Sequence, residues 1–391
     1  MMRRSERQAP TYRMVGPVER YDQRDTVFAR ERLVPESVEE TAYHQAHPER
    51  RDVDRRLRLG LQHMDDRPPG HGALRNSAFA VAMDLARPDV VDGPPSGHRV
   101  EVDPGRTSSH VKQLARQFGA DLVGVGPLRP EWVYSHRGVR PYFDQAPQGY
   151  SGKHWGDEIS LTHPHAISLG FTQRADVLRT SPSPASDLEV GCVYSQSALV
   201  AVHLAHYIRE LGYSARAHHV YNYGVLVVPV AVDAGMGELG RCGFLITKGF
   251  GTNLRLSCVT TDLPLEADPP VDLGVQDFCD KCLKCARACP SRAIPTGDPV
   301  VVRGVSKWAI DPVGCLLYWD AQGASCSVCQ VVCPWTKPPT LFHRLVAEMA
   351  VHLPFGRRFL VWADDLFYGR QYQQRPLPVW ARDDFVRDSS H

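Results

Sequence analysis

Eight of the eleven cysteines lie between residues 279 and 333, and their spacing is the strongest chemical signal in the sequence. The segment CDKCLKCARACP has the spacing C-x2-C-x2-C-x3-C-P, and the segment CSVCQVVCP repeats the second half of that pattern. In such runs three thiolates hold one [4Fe-4S] cluster, and the fourth reaches the neighbouring cluster. The sequence therefore predicts two [4Fe-4S] clusters.

Two clusters need eight ligands, and the second run contains only three cysteines. Cys315, which precedes that run, is the nearby cysteine that completes the set. We expect one cluster to be held by Cys279, Cys282, Cys285 and Cys333, and the other by Cys289, Cys315, Cys326 and Cys329. Zinc also binds C-x2-C pairs, but a zinc site does not require two interlocked runs that each end in proline.

Two adjacent clusters form an electron relay, and a relay needs a group that receives the electrons. The chain of 391 residues is much longer than the cysteine-rich segment, and helix-like and strand-like segments alternate upstream of it. We therefore expect an α/β domain over residues 106–265 and a cluster domain over residues 266–340. Residues 1–105 are interpreted as a loosely ordered arm that wraps the core, and residues 341–391 as a C-terminal segment packing on it.

Two helix–strand units support the α/β interpretation. The first is a helix that starts after Ser109 and ends at Gly119, followed by the strand ADLVGVG. The second is a helix with apolar residues at Leu199, Leu204 and Ile208, which ends at Gly212. The segment SPSPASD before it is predicted to be a loop.

A glycine-rich segment, GMGELG, fits the dinucleotide-binding fingerprint G-x-G-x-x-G at Gly235, Gly237 and Gly240. It follows the apolar run GVLVVPVAV, which could be the strand that the fingerprint requires. However, the next segment, RCGFLITKGFG, contains three more glycines where a dinucleotide fold needs an uninterrupted helix. The sequence therefore argues against NAD binding here.

The composition points to no nucleic acid and no membrane. The 45 Lys and Arg residues nearly balance the 44 Asp and Glu residues, so the totals show no basic surface for either partner. No apolar run approaches the roughly 20 residues that cross a bilayer. The pair Arg3-Arg4 is not followed by the apolar region of an export signal. We expect a cytoplasmic protein without a membrane span.

The segments AGMGELGRCGFLITKGFGTNLRLSCVTTDLPL and FCDKCLKCARACPSRAI together resemble the corrinoid-dependent reductive dehalogenases and, more distantly, the epoxyqueuosine reductases. The similarity runs from about Asp103 to the C-terminus. It implies a nitroreductase-like domain that binds base-off cobalamin, followed by a ferredoxin-like domain that reduces the cobalt. The resemblance also implies that the glycine-rich stretch leads into a corrinoid-binding strand and loop, with cofactor contacts at Gly235, Gly237, Glu238, Gly240 and Arg241.

The resemblance further implies three catalytic residues, which are Tyr194 as the proton donor, Arg255 as the cation beside it and Asn222 as an assisting group. A nearby cation stabilises phenolate, which is what proton donation by a tyrosine requires. Asn222 could equally be a turn residue. The other candidates are Tyr213, Tyr221 and Tyr223 for the tyrosine and Lys248 for the cation.

The implied activity is reductive cleavage of a carbon–halogen bond in an organohalide, with an external ferredoxin or flavodoxin as the electron donor. Two alternatives remain open. One is an epoxyqueuosine-type reductase acting on a tRNA nucleoside, which would need a basic groove that the balanced charge does not indicate. The other is a non-catalytic electron carrier that keeps the clusters without the corrinoid.

Overall fold

The computed structural model describes residues 10–65, 69–138, 154–338 and 340–382. The pair Arg3-Arg4 lies outside the described residues. The strands are β1 Arg13–Met14, β2 Leu122–Pro127, β3 His165–Thr172, β4 Ala215–His218, β5 Glu238–Leu239, β6 Leu245–Ile246, β7 Leu254–Thr261, β8 Val300–Val302 and β9 Val305–Lys307. The α-helices are α1 Val27–Arg30, α2 Val38–Ala46, α3 Arg51–Asp65, α4 Pro69–Asp84, α5 Pro88–Val91, α6 Pro104–Gln117, α7 Ala175–Leu178, α8 Pro184–Glu210, α9 Val227–Asp233, α10 Val275–Cys282, α11 Lys284–Ala288, α12 Pro312–Gln322, α13 Val328–Val331, α14 Leu341–His352 and α15 Arg357–Tyr368.

A four-stranded antiparallel sheet with the order β2-β3-β7-β4 lies at the centre of the molecule. Its middle strands β3 and β7 pair over their full lengths, and Phe171 lies opposite Arg255. Strand β2 is the predicted ADLVGVG strand. Helices pack on the sheet, so the mixed helix and strand class predicted from the sequence is confirmed.

Helix α8 is the long core helix that packs on this sheet. It buries Val200, Leu204 and Ile208 against the strands, whereas Leu199, which was expected on the apolar face, is 41% exposed. By length and composition alone α8 could cross a bilayer, but more than half of its most apolar window is buried inside the protein. Among the described residues it is the one helix with this property.

Two helix starts differ from the sequence predictions. Helix α8 begins at Pro184 within the predicted loop SPSPASD, because Ser183 caps it by accepting the backbone N–H of Ser186. Helix α6 begins at Pro104 rather than after Ser109, because the side chain of Asp103 accepts the backbone N–H of Arg106. In both cases a polar cap followed by proline sets the first turn.

Where the structure describes it, the N-terminal arm is largely helical, which differs from the loosely ordered segment expected from the sequence. Helix α4 packs along α8, and α3 packs on α12 of the cluster domain. Some charged side chains of this segment are buried as an ion pair, as Arg30 and Asp54 are. Strand β1 also joins β9 and β8 of the cluster domain in a three-stranded sheet.

The apolar run at residues 224–232 is not a strand. Its second half forms α9, and Val230, Ala231 and Val232 are all buried. The first three residues of the helix are partly buried and also apolar, so the run shows no helical alternation of polar and apolar residues. A short apolar run of this kind does not distinguish a strand from a buried helix. The glycine-rich segment therefore lacks the preceding strand of a dinucleotide-binding turn.

Candidate functional site

Tyr194 on α8 and Arg255 on β7 lie side by side where the helix packs on the sheet. The guanidinium carbon of Arg255 is 5.2 Å from the centre of the Tyr194 ring, which is a cation–π distance. The same guanidinium lies 3.4 Å from Oε1 of Gln330, to which it donates. Gln330 follows Cys329 directly, so this contact joins the tyrosine and its cation to the cysteine-rich domain.

The other candidate residues lie elsewhere or are enclosed. Lys248 pairs with Glu348 at 2.6 Å on the surface. The hydroxyl of Tyr213 donates to the backbone oxygen of Val100 in the core. Tyr223 is partly buried, and burial raises its pKa to about 12. Arg255 is therefore the candidate cation that contacts Tyr194.

The N-terminal arm contributes neighbours of Tyr194 that the sequence interpretation missed. The ring of Phe79 lies 6.3 Å from that of Tyr194 and 6.2 Å from that of Tyr221. Arg32 lies over the Tyr221 ring. The adjacent Glu31 is buried, and burial raises its pKa to about 7. These residues reach the site only because the arm packs on α8, so no local motif marks them.

Asn222 is buried in the turn after β4, and its side chain has structural partners. Nδ2 donates to the backbone oxygen of Ala86 at 2.8 Å, and Oδ1 accepts from Arg216 at 3.2 Å. Its backbone also bonds to that of His219. These contacts fit the turn-residue alternative, while an assisting role in catalysis stays a prediction.

Several buried polar atoms near Arg255 have no hydrogen-bond partner within the described chain. They are Nε2 and Oε1 of Gln173, Oδ1 of Asn253, Nε of Arg255 and Oγ of Ser327. Gln173 and Asn253 flank the paired ends of β3 and β7, and Ser327 belongs to the second cysteine run. Because a buried unpaired polar group is costly, such a collection fits a polar ligand. The amide groups around a corrinoid ring supply both donors and acceptors, so these residues fit that cofactor.

The four cysteines of the first predicted set line one cleft, although Cys333 comes from the second run. Burial raises the pKa of Cys333, and the neighbouring thiols Cys242, Cys279 and Cys282 raise it further. Burial likewise raises the pKa of Cys282 to about 11. The residues lining the cleft include Cys279, Cys282, Cys285, Cys333, Phe278 and Trp335.

The cysteines of the second predicted set are also neighbours. The pKa of Cys329 is raised by burial and then by charges that include Cys326, Cys315 and Cys289. Cys289 therefore lies near the cysteines of the second run, although it belongs to the first run in sequence. The structure brings together both sets of four, and their role as cluster ligands stays a prediction.

In the described part of the chain, no three His, Cys, Asp or Glu side chains converge on the position of one metal ion. A single zinc ion holds its sulfur ligands about 2.3 Å from the metal, which forces them close together. A cluster of four irons lets its ligand sulfurs stand further apart.

Cys242 is a ninth thiol at this site, and the spacing of the runs gave no signal for it. It is buried, and a hydrogen bond with Cys285 lowers its pKa. Its charge also acts on Cys329 and Cys333, so it lies beside members of both sets. It packs with Ala286, Ile294 and the neighbouring cysteines.

Glu238 supports the cluster domain from the glycine-rich segment. Its Oε1 accepts the backbone N–H groups of Leu273 at 2.5 Å and Val275 at 3.2 Å. These groups lie at the start of α10, where a negative charge is favourable. Helix α10 carries Cys279 and Cys282, so Glu238 helps to fix two of the predicted ligands.

Arg241 reaches into the same domain and is almost fully buried. Its guanidinium donates to the backbone oxygens of Cys279, Pro295 and Gly297 at 2.9 to 3.1 Å. It also lies 4.3 Å from the centre of the Trp308 ring. The side chain is therefore occupied by protein groups.

The glycines of this segment allow close packing of the chain on itself. A Cβ at Gly237 would lie 2.2 Å from the backbone oxygen of Ile246, and one at Gly235 would lie 2.5 Å from that of Pro269. At Gly240 a Cβ would meet the Ile246 side chain at 2.7 Å. Corrinoid contacts at these three glycines, Glu238 and Arg241 stay a prediction.

Comparison with known proteins agrees with this geometry. Residues 278–337 match the family described as a 4Fe-4S dicluster domain. The tetrachloroethene reductive dehalogenase of Desulfitobacterium hafniense is 35% identical over 295 residues, which cover 65% of this chain and 53% of that protein.

Two solved structures share the fold. The catabolic reductive dehalogenase NpRdhA in complex with 3-bromo-4-hydroxybenzoic acid matches with a TM-score of 0.76 and 26% identity, over 93% of this chain and 48% of that one. A reductive dehalogenase structure described as suggesting a mechanism for B12-dependent dehalogenation matches with a TM-score of 0.75 and 26% identity, over the same shares. This chain spans about half the length of these relatives. In sequence and in fold, the chain is therefore similar to the reductive dehalogenases.

Proposed function

We propose that this chain is a cobalamin-dependent reductive dehalogenase that acts on a small organohalide. The observation that carries the proposal is the Tyr194–Arg255 pair, which lies beside unpaired buried polar atoms and contacts the cysteine-rich domain through Gln330. The bound halogenated benzoate of one relative and the B12 dependence of another support the substrate class and the cofactor.

The overall reaction consumes two electrons and one proton, and it converts R–X into R–H and a halide ion. The corrinoid, when bound, supplies the reducing centre that breaks the carbon–halogen bond. Tyr194 would donate its hydroxyl proton to the carbon that loses the halogen. Arg255, held over the ring, would stabilise the phenolate that this donation leaves behind.

The contacts of the cysteine runs suggest an order for the relay. The second run is attached to the α/β core by hydrogen bonds from Ser325 to Asp187 and from the backbone of Ser327 to Ser181. Its Gln330 also bonds to Arg255 and to the backbone of Thr252. Because Gln330 follows Cys329 of the second set, the second cluster would be the one that supplies electrons beside Tyr194 and Arg255, and the first cluster would reduce it.

The test is an anaerobic preparation with cobalamin, iron and sulfide supplied, followed by metal analysis and halide assays. We expect about one cobalt and about eight irons per chain. Halide release is then measured with titanium(III) citrate as the reductant and a panel of chlorinated and brominated phenols and ethenes. Electron donation by ferredoxin or flavodoxin is tested in the same assay.

Other outcomes would replace the proposal. Bound cobalt without halide release, together with reduction of epoxyqueuosine in a tRNA stem loop, would favour the epoxyqueuosine alternative. Eight irons with no bound corrinoid would leave an electron carrier and remove the assigned roles of Tyr194 and Arg255.

A further inference from the structure

The helical hairpin formed by α14 and α15 presents an apolar surface that no other part of the described chain covers. Nine large apolar side chains of this hairpin are at least half exposed, and Phe355 is fully exposed. Contiguous apolar surface of this kind marks an interaction site in soluble proteins. The nine residues are Leu341, Phe342, Leu345, Leu353, Phe355, Phe359, Trp362, Leu366 and Phe367.

A cavity of about 630 Å³ lies between this hairpin and the cluster domain. Three residues, Phe278, Pro334 and Trp335, line both this cavity and the cleft of the first cysteine set. Phe278 precedes Cys279, and Pro334 follows Cys333. One layer of side chains therefore separates the hairpin cavity from the predicted first cluster.

The free charge on the hairpin is positive. Its acidic residues are paired, Glu348 with Lys248, Asp364 with Lys284, and Asp365 with Arg287. In contrast, Arg344 and Arg358 are exposed and form no ion pair within the described part of the chain. The surface therefore combines apolar contacts with two uncompensated cations, which complement an acidic partner.

The two ends of the relay face different partners. Gln330, which follows Cys329 of the second set, contacts Arg255 beside Tyr194. The first set adjoins the hairpin cavity instead. Electrons must enter at the end that is remote from the substrate.

We propose that the α14–α15 surface is the docking site of a small acidic electron-carrier protein, which reduces the first cluster across the layer formed by Phe278 and Trp335. The carrier is oxidised by one electron per encounter, and the cluster is reduced by one. The proposal rests on the proposed function for the destination of the electrons, but reduction of the clusters can be measured without corrinoid or organohalide.

The test follows cluster reduction by stopped-flow absorbance in the cluster-loaded protein. The electron donors are a reduced two-cluster bacterial ferredoxin, a reduced flavodoxin and, as a small reductant, titanium(III) citrate. Trp362→Glu and the double variant Arg344→Glu/Arg358→Glu alter the surface at exposed positions. The matched controls are Val38→Glu, which alters an apolar side chain that is 83% exposed, and Arg106→Glu, which reverses an exposed cation on α6.

We expect at least one of the two carriers to reduce the wild type and both controls rapidly. Both surface variants should slow that carrier by on the order of tenfold or more, because docking loses an apolar contact or its charge complementarity. Titanium(III) citrate should reduce every variant at the wild-type rate, which excludes a misfolded or cluster-depleted protein. Raising the salt concentration should slow the wild type more than the double arginine variant.

Unchanged carrier rates in both surface variants would overturn the proposal. A dimer of the wild type that Trp362→Glu dissociates, with unchanged carrier rates, would also overturn it. Binding of the wild type to phosphatidylglycerol vesicles that Trp362→Glu abolishes, with unchanged carrier rates, would do the same. Normal carrier-driven reduction without any halide release would instead contradict the proposed function and leave the docking site standing.

Discussion

The guanidinium carbon of Arg255 lies 5.2 Å from the centre of the Tyr194 ring, and the same guanidinium donates to Gln330 in the second cysteine run. One arginine thus touches both the candidate proton donor and the domain that brings the electrons. The proposed reaction needs a proton and electrons at the same carbon. Arg255 contacts both Tyr194, the candidate proton donor, and the domain of the predicted clusters.

Replacing Tyr194 with phenylalanine should remove the proton donor while keeping the ring and its packing. We expect halide release to fall by a factor on the order of 10² or more, as for the loss of a general acid. The absorbance and EPR spectra of corrinoid and clusters should stay as in the wild type. Turnover at the wild-type rate would remove Tyr194 from the mechanism.

Replacing Arg255 with glutamine should remove the cation beside Tyr194 and lower turnover by roughly 10². The matched control is Lys248→Gln, since Lys248 is paired with Glu348 on the surface away from Tyr194. With titanium(III) citrate as the reductant, this control should turn over at the wild-type rate. Equal losses in the two variants would mean that Arg255 has no specific role.

Cys242 and Cys285 share a hydrogen bond, but only Cys285 is predicted to bind an iron–sulfur cluster. Cys285→Ser removes a predicted ligand, so the reconstituted protein should lose about four of about eight irons. Cys242→Ser should retain all of them, because Cys242 belongs to neither predicted set. The measurement is iron per chain together with the EPR signal of the reduced protein. The opposite pattern would exchange the two assignments.

Glu31 should make the stability of the protein fall as the pH rises from about 5 to about 7. Burial raises its pKa from 4.5 to about 7, so in this window the folded state binds a proton that the unfolded state has released. The stabilisation is complete below the unfolded pKa and is lost as the pH passes the folded pKa. The shift corresponds to at most about 3 kcal/mol.

The measurement is the thermal unfolding midpoint at pH 5 and pH 8. Relative to the wild type, Glu31→Gln should gain stability on going to the higher pH, since glutamine does not titrate. The exposed Glu101→Gln serves as the control and should follow the wild type at both values. Parallel midpoints for the wild type and Glu31→Gln would show that Glu31 ionises freely in the folded state.

The cysteine sets were predictable from sequence because cluster chemistry fixes the spacing of its ligands. The exchange of Cys289 and Cys333 between the two runs follows from the same rule; Cys289 lies near Cys329, and Cys333 lies near Cys279 and Cys282, while the ligand assignment stays a prediction. Strand β2 was also predictable, because a short apolar run that follows a helix ended by glycine is typical of a buried strand.

The parts that were missed depend on tertiary contacts. The run at residues 224–232 is apolar throughout, so its sequence pattern could not distinguish the buried helix α9 from a strand. The arm was expected to be loosely ordered because its many charged residues indicated solvent-exposed chain. Arg30 and Asp54, however, form an ion pair inside the protein. Phe79 and Glu31 reach Tyr194 and its neighbours across more than a hundred residues of sequence, and no local pattern announces such a contact.

Glu238 and Arg241 extend from the α/β core into the cluster domain, and together they hold five of its backbone groups. Metal binding is coupled to folding wherever the ligands belong to the folded core. If the predicted clusters form, their loss should therefore also loosen the segment that carries Glu238 and Arg241, which is where the corrinoid contacts are predicted.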